Sequence, residues 1–238
     1  MRVAVLSDVH GNASALAAVL AELEDERADL VVFGGDLTWG AQPAETYRLA
    51  SALDNALFVR GNADRAVLEG LAERDRERWM QEQHSAEMRD FLAGSGEQQL
   101  VDVDGLGAVR FCHGSPRSDE ECVTPETPEE RVREFMTGVD ERLVVTAHVH
   151  IQFDRHVAGV RSVNAGSVGL PYEGRPGAYW AMLGPDVDLR RTEYDVDEAV
   201  SAYRESGFPE PEPMVELLLQ PPAPPEVIEH AEKAVFAG

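Results

Sequence analysis

The chain has 238 residues, with 21 Lys or Arg against 44 Asp or Glu, which gives a formal charge of −23. So acidic a surface repels phosphate backbones and anionic headgroups, so broad nucleic-acid or membrane-surface binding is disfavoured. Hydrophobic residues make up 43% and charged residues 27% of the chain, as in ordinary globular proteins. The length favours one domain and suffices for a core without disulfides.

The compartment follows from three negative features of the sequence. The two cysteines, Cys112 and Cys122, are too few for a disulfide framework. The N-terminus begins with a strand-like run and lacks the basic and apolar regions of a signal peptide. No apolar run approaches the ~20 residues that span a bilayer. We therefore expect a soluble cytoplasmic protein.

Short apolar runs alternate with amphipathic helical patterns through the first part of the chain. The predicted strands are Val3–Leu6, Leu30–Phe33 and 57–59. The predicted helices are residues 13–24 and a segment that begins near Pro43. This alternation is typical of a parallel sheet with buried strands.

The middle of the chain changes from helical to β-like patterning. Residues 64–92 predict one or two helices, divided at Gly70 in the second case. A helix near residues 128–137 interrupts a series of short predicted strands, which are 99–103, 108–112, 143–147, 152–157, 160–164 and 178–183. We find no internal repeat and no domain boundary before about residue 195.

The tail has a different composition. Residues 195–206 predict a helix and residues 226–236 a final one, whereas residues 209–225 predict an extended arm around a short segment, 214–219. The arm is predicted from its prolines at positions 209, 211, 213, 221, 222, 224 and 225. We assign residues 1–195 to one domain and residues 196–238 to a helical, Pro-rich extension packed on its surface without chemistry. The arm could also cover a neighbouring chain or limit substrate access.

Polar residues with ligand chemistry follow the apolar runs in a fixed order. In an α/β sheet, ligands bind beyond the carboxyl ends of the parallel strands. Four of the seven histidines belong to this set, whose segments are Asp8-Val-His10-Gly-Asn12, Gly35-Asp36, Gly61-Asn62-Ala-Asp64, His113-Gly114 and His148-Val-His150. Taken singly, each has a structural interpretation as a helix cap, a turn residue or a strand end. Their occurrence together, each at the end of an apolar run, favours a ligand-binding site.

These donors are oxygen and imidazole groups without thiolate. Such a mixture suits Mn²⁺, Fe, Co²⁺, Ni²⁺ or Zn²⁺ better than a closed thiolate zinc site. Seven donors are too many for one catalytic metal with open positions but fit two metals that share a carboxylate. Two ions roughly 3.5–4 Å apart can hold a bridging hydroxide and polarise a phosphoryl oxygen.

The ordered motifs resemble those of the calcineurin-like metallophosphoesterase superfamily, whose pattern is D-x-H, G-D, G-N, a later H, and G-H-x-H. The resemblance is greatest to small bacterial and archaeal phosphoesterases with S-D-x-H-G-N, as in residues 7–12, and it spans residues 2 to about 194. It implies an α/β fold built as a four-layer α/β/β/α sandwich with two mixed β-sheets. The strand pattern alone does not distinguish this fold from a three-layer sandwich.

The resemblance also implies two metal sites that share Asp36. The first would comprise Asp8, His10, Asp36 and His150, and the second Asp36, Asn62, His113 and His148. We expect two divalent transition-metal ions, Mn²⁺ ahead of Fe, Ni, Co or Zn. Two departures from the family pattern leave the ligands intact, since Ala147 replaces the Gly of G-H-x-H and Ala165 the Pro of a later N-P-G-S loop. This later loop, residues 164–169, is predicted either to approach the site or to be an ordinary hairpin turn.

A third departure affects the chemistry. Many family members have G-N-H-D or G-N-H-E, whose His assists phosphate binding or protonates the leaving group, but this chain has Ala63 there. Proton transfer of that kind contributes ~10²–10⁴-fold to a rate. We therefore expect a preference for good leaving groups, or a proton from metal-bound water or another side chain.

Three residues are predicted to contact substrate, and each has a structural alternative. Arg60 and Arg117 could hold a phosphate oxygen or form ion pairs. Asn12 could orient phosphate or cap the first helix.

Three further residues near the motifs are assigned supporting roles. Asp64 is predicted to brace the metal loop without touching metal. Cys112 is predicted to point into the core. His84 is predicted to be solvated, with the alternative that it leans over the site as a substitute acid.

The sequence thus predicts a binuclear metal-dependent phosphohydrolase in which a metal-bridging hydroxide attacks phosphorus in line. A small phosphodiester or activated phosphate ester is the expected substrate, because of Ala63. The alternatives are a phosphomonoesterase or a protein or nucleotide (dinucleoside polyphosphate) phosphatase, and, in a different class, a catalytically weak metal-binding scaffold. The sequence predicts no oligomeric state.

Overall fold

The structure is a computed structural model and describes residues 1–236. Over that range the strands are β1 (Val3–Leu6), β2 (Leu30–Phe33), β3 (Ala56–Phe58), β4 (Gln98–Val103), β5 (Gly107–Cys112), β6 (Leu143–Thr146), β7 (Gln152–Val157), β8 (Val160–Ala165), β9 (Ala178–Leu183) and β10 (Val187–Thr192). The helices are α1 (Ala13–Glu26), α2 (Pro43–Ser51), α3 (Asn62–Glu69), α4 (Asp75–Glu82), α5 (Ala86–Ala93), α6 (Glu129–Phe135), α7 (Val196–Glu205), α8 (Glu212–Leu219) and α9 (Pro224–Phe236).

The strands form two mixed five-stranded sheets. The first has the order β10-β9-β1-β2-β3, in which β1, β2 and β3 run parallel. The second has the order β4-β5-β6-β8-β7, in which β5, β6 and β8 run parallel. The antiparallel strands β9, β10, β4 and β7 flank these parallel centres. Each sheet therefore has a central set of strands whose carboxyl ends share one edge.

The two sheets pack face to face between helices. Successive residues of a strand point to opposite faces, so Val3 and Val5 of β1 pack against Val109 and Phe111 of the second sheet. The outer face of the first sheet packs on α1 and α2, and the outer face of the second packs on α6. Stacked sheets lie about 10 Å apart, which a layer of Val and Phe fills. The predicted four-layer α/β/β/α sandwich is confirmed.

The predicted helical region 64–92 differs from the structure. One or two helices were expected, but α3, α4 and α5 are three separate helices. Gly70 ends α3 in the left-handed conformation (φ 73°), and the Ser85 hydroxyl caps α5 by accepting from the Met88 N–H. The strand β10 was not predicted, because its alternating charged residues give little apolar signal.

The predicted extended arm over residues 209–225 is also wrong in part. Residues 212–219 form α8, and α9 begins already at Pro224. Prolines at the first helical positions are tolerated, because the N–H groups there have no partner within the helix. Val215 and Leu218 of α8 are buried. The last two residues of the predicted C-terminal extension lie outside the described residues, and within residues 1–236 we find no helix long and apolar enough to cross a membrane.

Candidate metal centre

Five loops that follow parallel strands meet at one end of the sandwich. The loops after β1, β2 and β3 carry Asp8 and His10, Asp36, and Asn62, while those after β5 and β6 carry His113, His148 and His150. The ring and carboxylate donors fall into two groups of three within which the ligand atoms lie within 4.8 Å of one another. These groups are Asp8, His10 and His150, and Asp36, His113 and His148. These groups contain six of the seven residues predicted as metal ligands. The seventh, Asn62, joins them through its Oδ1, which lies 2.9 Å from His113 Nε2.

The first group has two imidazole nitrogens facing each other. His10 Nε2 and His150 Nε2 lie 3.1 Å apart. Their Nδ1 atoms face backbone carbonyls, the Trp39 oxygen at 3.3 Å and the Leu170 oxygen at 2.6 Å, so Nδ1 carries the proton in each ring. Two unprotonated nitrogens at this distance repel each other unless a cation lies between them. The tautomers thus suit metal ligation.

Asp8 completes this group with an orphaned oxygen. Asp8 Oδ2 accepts from the Ser7 hydroxyl at 2.6 Å and from the His148 backbone N–H at 3.2 Å. Asp8 Oδ1 is buried and accepts no hydrogen bond from the residues described, although His150 Nε2 lies 3.2 Å away. A buried carboxylate oxygen without a partner is costly, and a cation is the usual remedy. This atom is the clearest sign that the residues fit a metal ion.

Asp36 belongs to the second group and also approaches the first. Its Oδ1 accepts from the Ala63 backbone N–H at 2.8 Å, which leaves Oδ2 to face the site. Asp36 Oδ2 is 3.7 Å from His10 Nε2 and 3.5 Å from His113 Nε2. One oxygen within reach of a ligand from each group is the geometry of a bridging carboxylate.

The second group is organised around His113. Its Nδ1 donates to the Gly34 carbonyl at 2.8 Å, and its Nε2 lies 2.9 Å from Asn62 Oδ1. The His148 ring packs edge-on against it, with the centroids 5.1 Å apart. Gly35 (φ 103°) allows this approach, since a Cβ there would lie 2.5 Å from His113 Nδ1.

The electrostatics of the site favour neutral His10 and His148 and place the negative charge of Asp36 where it attracts positive charge. Burial lowers the pKa of His10, and burial together with His113 lowers that of His148 to about 4. Burial also acts against a charge on His113, but the Asp36 carboxylate outweighs it and raises the pKa of His113 to about 10. His10 and His148 are therefore neutral near pH 7, while the space beside Asp36 attracts a cation.

The backbone of the site is strained. Five of the predicted ligands have positive φ, between 48° and 68°, and they are Asp8, His10, Asp36, His148 and His150. This conformation costs a residue with a side chain roughly 1–2 kcal/mol. Strain of this kind persists where the surrounding structure over-determines it, as at binding and catalytic sites. The ligand loops are thus held in place by their neighbours.

Asp64 supplies part of that support. Its Oδ2 accepts from the Asp36 and Gly61 N–H groups at 2.8 and 2.9 Å, and its Oδ1 from the Leu37 N–H at 3.1 Å. The carboxylate thus joins the loops after β2 and β3. This arrangement agrees with the predicted bracing role. Burial, followed by the Asp36 charge, raises the pKa of Asp64 to about 7.

The loop at residues 164–169 lies against the site. Val168 N and Gly169 N donate to the carbonyls of Ser7 and Asp8 at 2.9 and 3.1 Å, and the Ser167 hydroxyl donates to the Asp8 carbonyl at 2.7 Å. Of the two interpretations of this loop, approach to the site is the one observed. Its hydrogen bonds help to hold Asp8 in its strained conformation.

The three predicted substrate contacts occupy different settings. Asn12 is 2% exposed, caps α1 through the Ala15 N–H, and donates to the Gly169 carbonyl and the Tyr194 hydroxyl. Arg117 is held by Glu121 and Glu134 at 2.8 and 3.1 Å. These contacts give Asn12 a capping role and Arg117 an ion-pairing role.

Arg60 is the substrate candidate with the weakest protein contacts. Its ion pair is with Glu97, whose side chain is 82% exposed, and such a pair contributes little. Arg60, Arg117 and His113 line a pocket of about 180 Å³. Arg60 thus retains donors that are free to turn toward a ligand.

The structure corrects the prediction for His84 and confirms that for Cys112. His84 is 6% exposed, not solvated, and its Nδ1 donates to the Met80 carbonyl at 2.7 Å while Nε2 accepts from the Thr38 hydroxyl at 2.8 Å. It therefore has no free nitrogen to act as a substitute acid. Cys112 is 1% exposed and packs in the core.

Residues that orient the ligands from outside were missed by the sequence analysis. The Trp39 and Leu170 carbonyls accept from His10 and His150, and the Tyr172 ring stacks on His150 with centroids 4.6 Å apart. No local pattern marks a backbone acceptor or a ring that meets its partner from a distant segment. Of these residues, Leu170 and Tyr172 come directly after the predicted loop at 164–169, and that position is the one sequence feature that could have indicated their role.

Replacing His84 with glutamine should make the free energy of unfolding less dependent on pH. Burial lowers the pKa of His84, so the unfolded chain takes up a proton below about pH 6.5 that the folded protein resists. The stability due to this group is therefore complete above that pH and lost below it, by up to about 1.4 kcal/mol per pH unit. Urea unfolding of chelator-treated protein at pH 7.5 and 5.5 measures the difference. The exposed His156→Gln is the matched control, and a His84→Gln curve parallel to the wild type would contradict the expectation.

Comparisons with known proteins identify the family of the chain. The model of the calcineurin-like phosphoesterase superfamily domain matches residues 1–184. An uncharacterized protein of Methanocaldococcus jannaschii is 26% identical over an alignment 236 residues long, and the match covers 87% of this chain and 94% of the relative. The crystal structure of a metallophosphoesterase from Sphaerobacter thermophilus is 27% identical, with a TM-score of 0.75 over 92% of this chain and 98% of that one.

A hypothetical protein from Pyrococcus horikoshii shares the fold. Its crystal structure superposes with a TM-score of 0.79 at 20% identity and covers 93% of this chain and 99% of that one. The family model spans well over half of the chain and all seven predicted ligands. The chain therefore belongs to the calcineurin-like phosphoesterase superfamily.

Proposed function

We propose that this protein is a binuclear metal-dependent phosphohydrolase that acts on phosphodiesters. The observation that carries the proposal is the position of Asp36 Oδ2, 3.7 Å from His10 Nε2 and 3.5 Å from His113 Nε2, between two groups of neutral and anionic donors. The superfamily supports metal-dependent hydrolysis of phosphate esters. The donor chemistry, with carboxylate, imidazole and amide oxygen but no thiolate, supports divalent transition-metal ions such as Mn²⁺, Fe, Co²⁺, Ni²⁺ or Zn²⁺, and among them we propose Mn²⁺.

The chain's residues would hold one ion with Asp8, His10 and His150 and the other with Asn62, His113 and His148, with Asp36 shared. When bound, two such ions activate water for attack on phosphorus and offset charge on the phosphoryl oxygens. The protein contributes the fixed placement of its donors, which needs no rearrangement during the reaction. Arg60 at the edge of the centre is the side chain available to hold a non-bridging phosphate oxygen.

The preference for diesters or activated esters rests on residue 63. Ala63 supports the bridging carboxylate through its backbone N–H but has no side-chain proton to give to a leaving group. His84, the alternative donor, is committed to Met80 and Thr38. The charge of −23 further supports small substrates over long polyanions. A cytoplasmic site of action is part of the proposal, since Cys112 and Cys122 are both unpaired.

The test compares two chromogenic substrates on metal-free protein reloaded with Mn²⁺. We expect turnover of bis-p-nitrophenyl phosphate to exceed that of p-nitrophenyl phosphate and to require the metal. His113→Ala, which removes a predicted ligand, should lose this turnover, whereas the exposed His156→Ala should keep it. Greater turnover of the monoester would indicate a phosphomonoesterase. Metal binding without turnover of either substrate would indicate a scaffold and overturn the proposal.

A further inference from the structure

The C-terminal helices pack against the loops that surround the first group of donors. One buried cluster joins Val200 and Tyr203 of α7 and Val215 and Leu218 of α8 to Leu170. The partly buried rings of Trp39 and Tyr172 pack against the same cluster. The sequence predicts no chemical role for this part of the chain. Its helices nevertheless pack in one cluster with Trp39, Leu170 and Tyr172.

These three residues orient the imidazoles of the first group. The Trp39 carbonyl accepts from His10 Nδ1 and the Leu170 carbonyl from His150 Nδ1. Tyr172 stacks on the His150 ring at an interplanar angle of 20°. Each contact fixes a tautomer or a ring plane, and outer partners of this kind strongly affect metal affinity. A shift of the cluster would therefore move the Nε2 atoms that face the metal position.

The last helix also contacts the segment that carries His150. Ile228 of α9 packs in a buried cluster with Val149 and Ile151, the two residues that flank His150. The Gly174 N–H donates to the Pro222 carbonyl at 3.0 Å, which ties the loop beyond Tyr172 to the segment before α9. The strained His150 backbone (φ 58°) is thus held by residues from the end of the chain.

The second group has different supports. His113 Nδ1 donates to the Gly34 carbonyl at the end of β2, and the Ala63 N–H and the Asp64 carboxylate hold Asp36 and its loop. These contacts lie among residues 34–113. The ring contacts of His113 and His148 are to the Gly34 carbonyl, to Asn62 and to each other. None of these is a residue of the clusters that contain Val215, Leu218 and Ile228, although Val149 of the Ile228 cluster follows His148 in the chain. The imidazole rings of the two groups are therefore oriented by different parts of the chain.

We infer that the C-terminal extension, residues 196–236, is a positioning element of the metal centre that sets the affinity of the first site selectively. Leu218 is its central positioning residue, since it is 2% exposed and lies in the cluster that holds Leu170 and Trp39. The inference rests on the proposed binuclear centre. It gives this part of the chain, all of which lies beyond the family match at residues 1–184, a role in function.

The test is a calorimetric titration of the metal-free full chain with Mn²⁺. Leu218→Ala truncates the cluster, and Leu23→Ala, 8% exposed on α1, is a matched truncation in another cluster. We expect two binding steps in the wild type, with one weakened about tenfold in Leu218→Ala and both unchanged in Leu23→Ala. Leu218→Met, which conserves volume, should restore the wild-type affinities. Thermal melts confirm folding, and if Leu218→Ala fails to fold, Leu218→Val replaces it.

Two variants that each lack one predicted ligand show which of the two binding steps Leu218→Ala weakens. In His113→Ala the remaining binding step belongs to the first group, so adding Leu218→Ala should weaken it about tenfold. In His150→Ala the remaining step belongs to the second group, so the same addition should leave it unchanged.

The outcomes separate the two proposals. Equal weakening of both steps, no weakening, or the same effect from Leu23→Ala would overturn this inference and leave the binuclear centre intact. A wild-type protein that binds no Mn²⁺ would overturn the proposed function as well.

Discussion

Replacing Asp36 with asparagine should lower kcat on a phosphodiester about a thousandfold, equivalent to about 4 kcal/mol of transition-state stabilisation. Asparagine keeps an oxygen to accept from the Ala63 N–H but loses the charge between His10 and His113. The shared ligand would then be a neutral amide, and two cations close together would repel each other without it. We expect tightly bound Mn²⁺ to fall from two per chain to one.

The measurement combines steady-state kinetics at saturating Mn²⁺ with calorimetric stoichiometry. Asp188→Asn is the control, because that carboxylate lies at the surface and pairs with Arg190. Its kinetics and stoichiometry should equal those of the wild type. Full activity of Asp36→Asn with two ions bound would show that Asp36 is not the bridging ligand.

The strands that carry the site were predictable because their patterning is local. Val3–Leu6 and Leu30–Phe33 are buried runs in parallel strands, and such runs read as continuous apolar segments. The polar residues after them stand out because a run of apolar residues ends abruptly at Asp8 or at Gly35-Asp36. A parallel sheet places all such positions at one edge, so the motifs that follow the strands were enough to predict which residues form the site.

The arrangement of the two sheets needed more than strand prediction. Both the sandwich and a simpler three-layer fold produce alternating strands and helices, and only the resemblance distinguished them. The second sheet follows from the pairing of β6 with β8 and of β8 with β7. These pairings are set by side chains such as Val145 and Val163 in the shared core, which no local pattern reveals.

The errors share one physical cause, which is that tertiary contacts outweigh local propensity. His84 looked solvated because it lies in a charged helical region, yet its ring meets Thr38 from a distant loop. The prolines around α8 suggested an extended arm, yet the apolar face with Val215 and Leu218 has a core to pack against. In both cases the decisive partner lies far away in the sequence.

The absence of a side-chain acid at residue 63 should give the wild-type enzyme a steep dependence of rate on the leaving group. The backbone N–H of Ala63 donates to Asp36 Oδ1, so a proton donor on the side chain of residue 63 would lie beside the carboxylate that we propose to be shared by the two ions. Without that donor, an alkoxide must depart with little help. We expect kcat/KM for aryl and alkyl phosphodiesters to fall continuously as the pKa of the leaving alcohol rises. A flat dependence would contradict this account of Ala63.

An imidazole at residue 63 should make kcat/KM less dependent on the pKa of the leaving alcohol. Ala63→His should raise kcat/KM for a poor alkyl leaving group roughly 100-fold, the lower end of the range for proton-transfer catalysis, and change p-nitrophenyl esters little. Ala63→Gln, of similar size but without a titrating proton, separates general-acid chemistry from a change in packing around a residue that is 5% exposed. Equal gains from both variants would assign the effect to binding. If Ala63→His binds two Mn²⁺ ions but keeps the wild-type slope, the leaving group obtains its proton from elsewhere in the site.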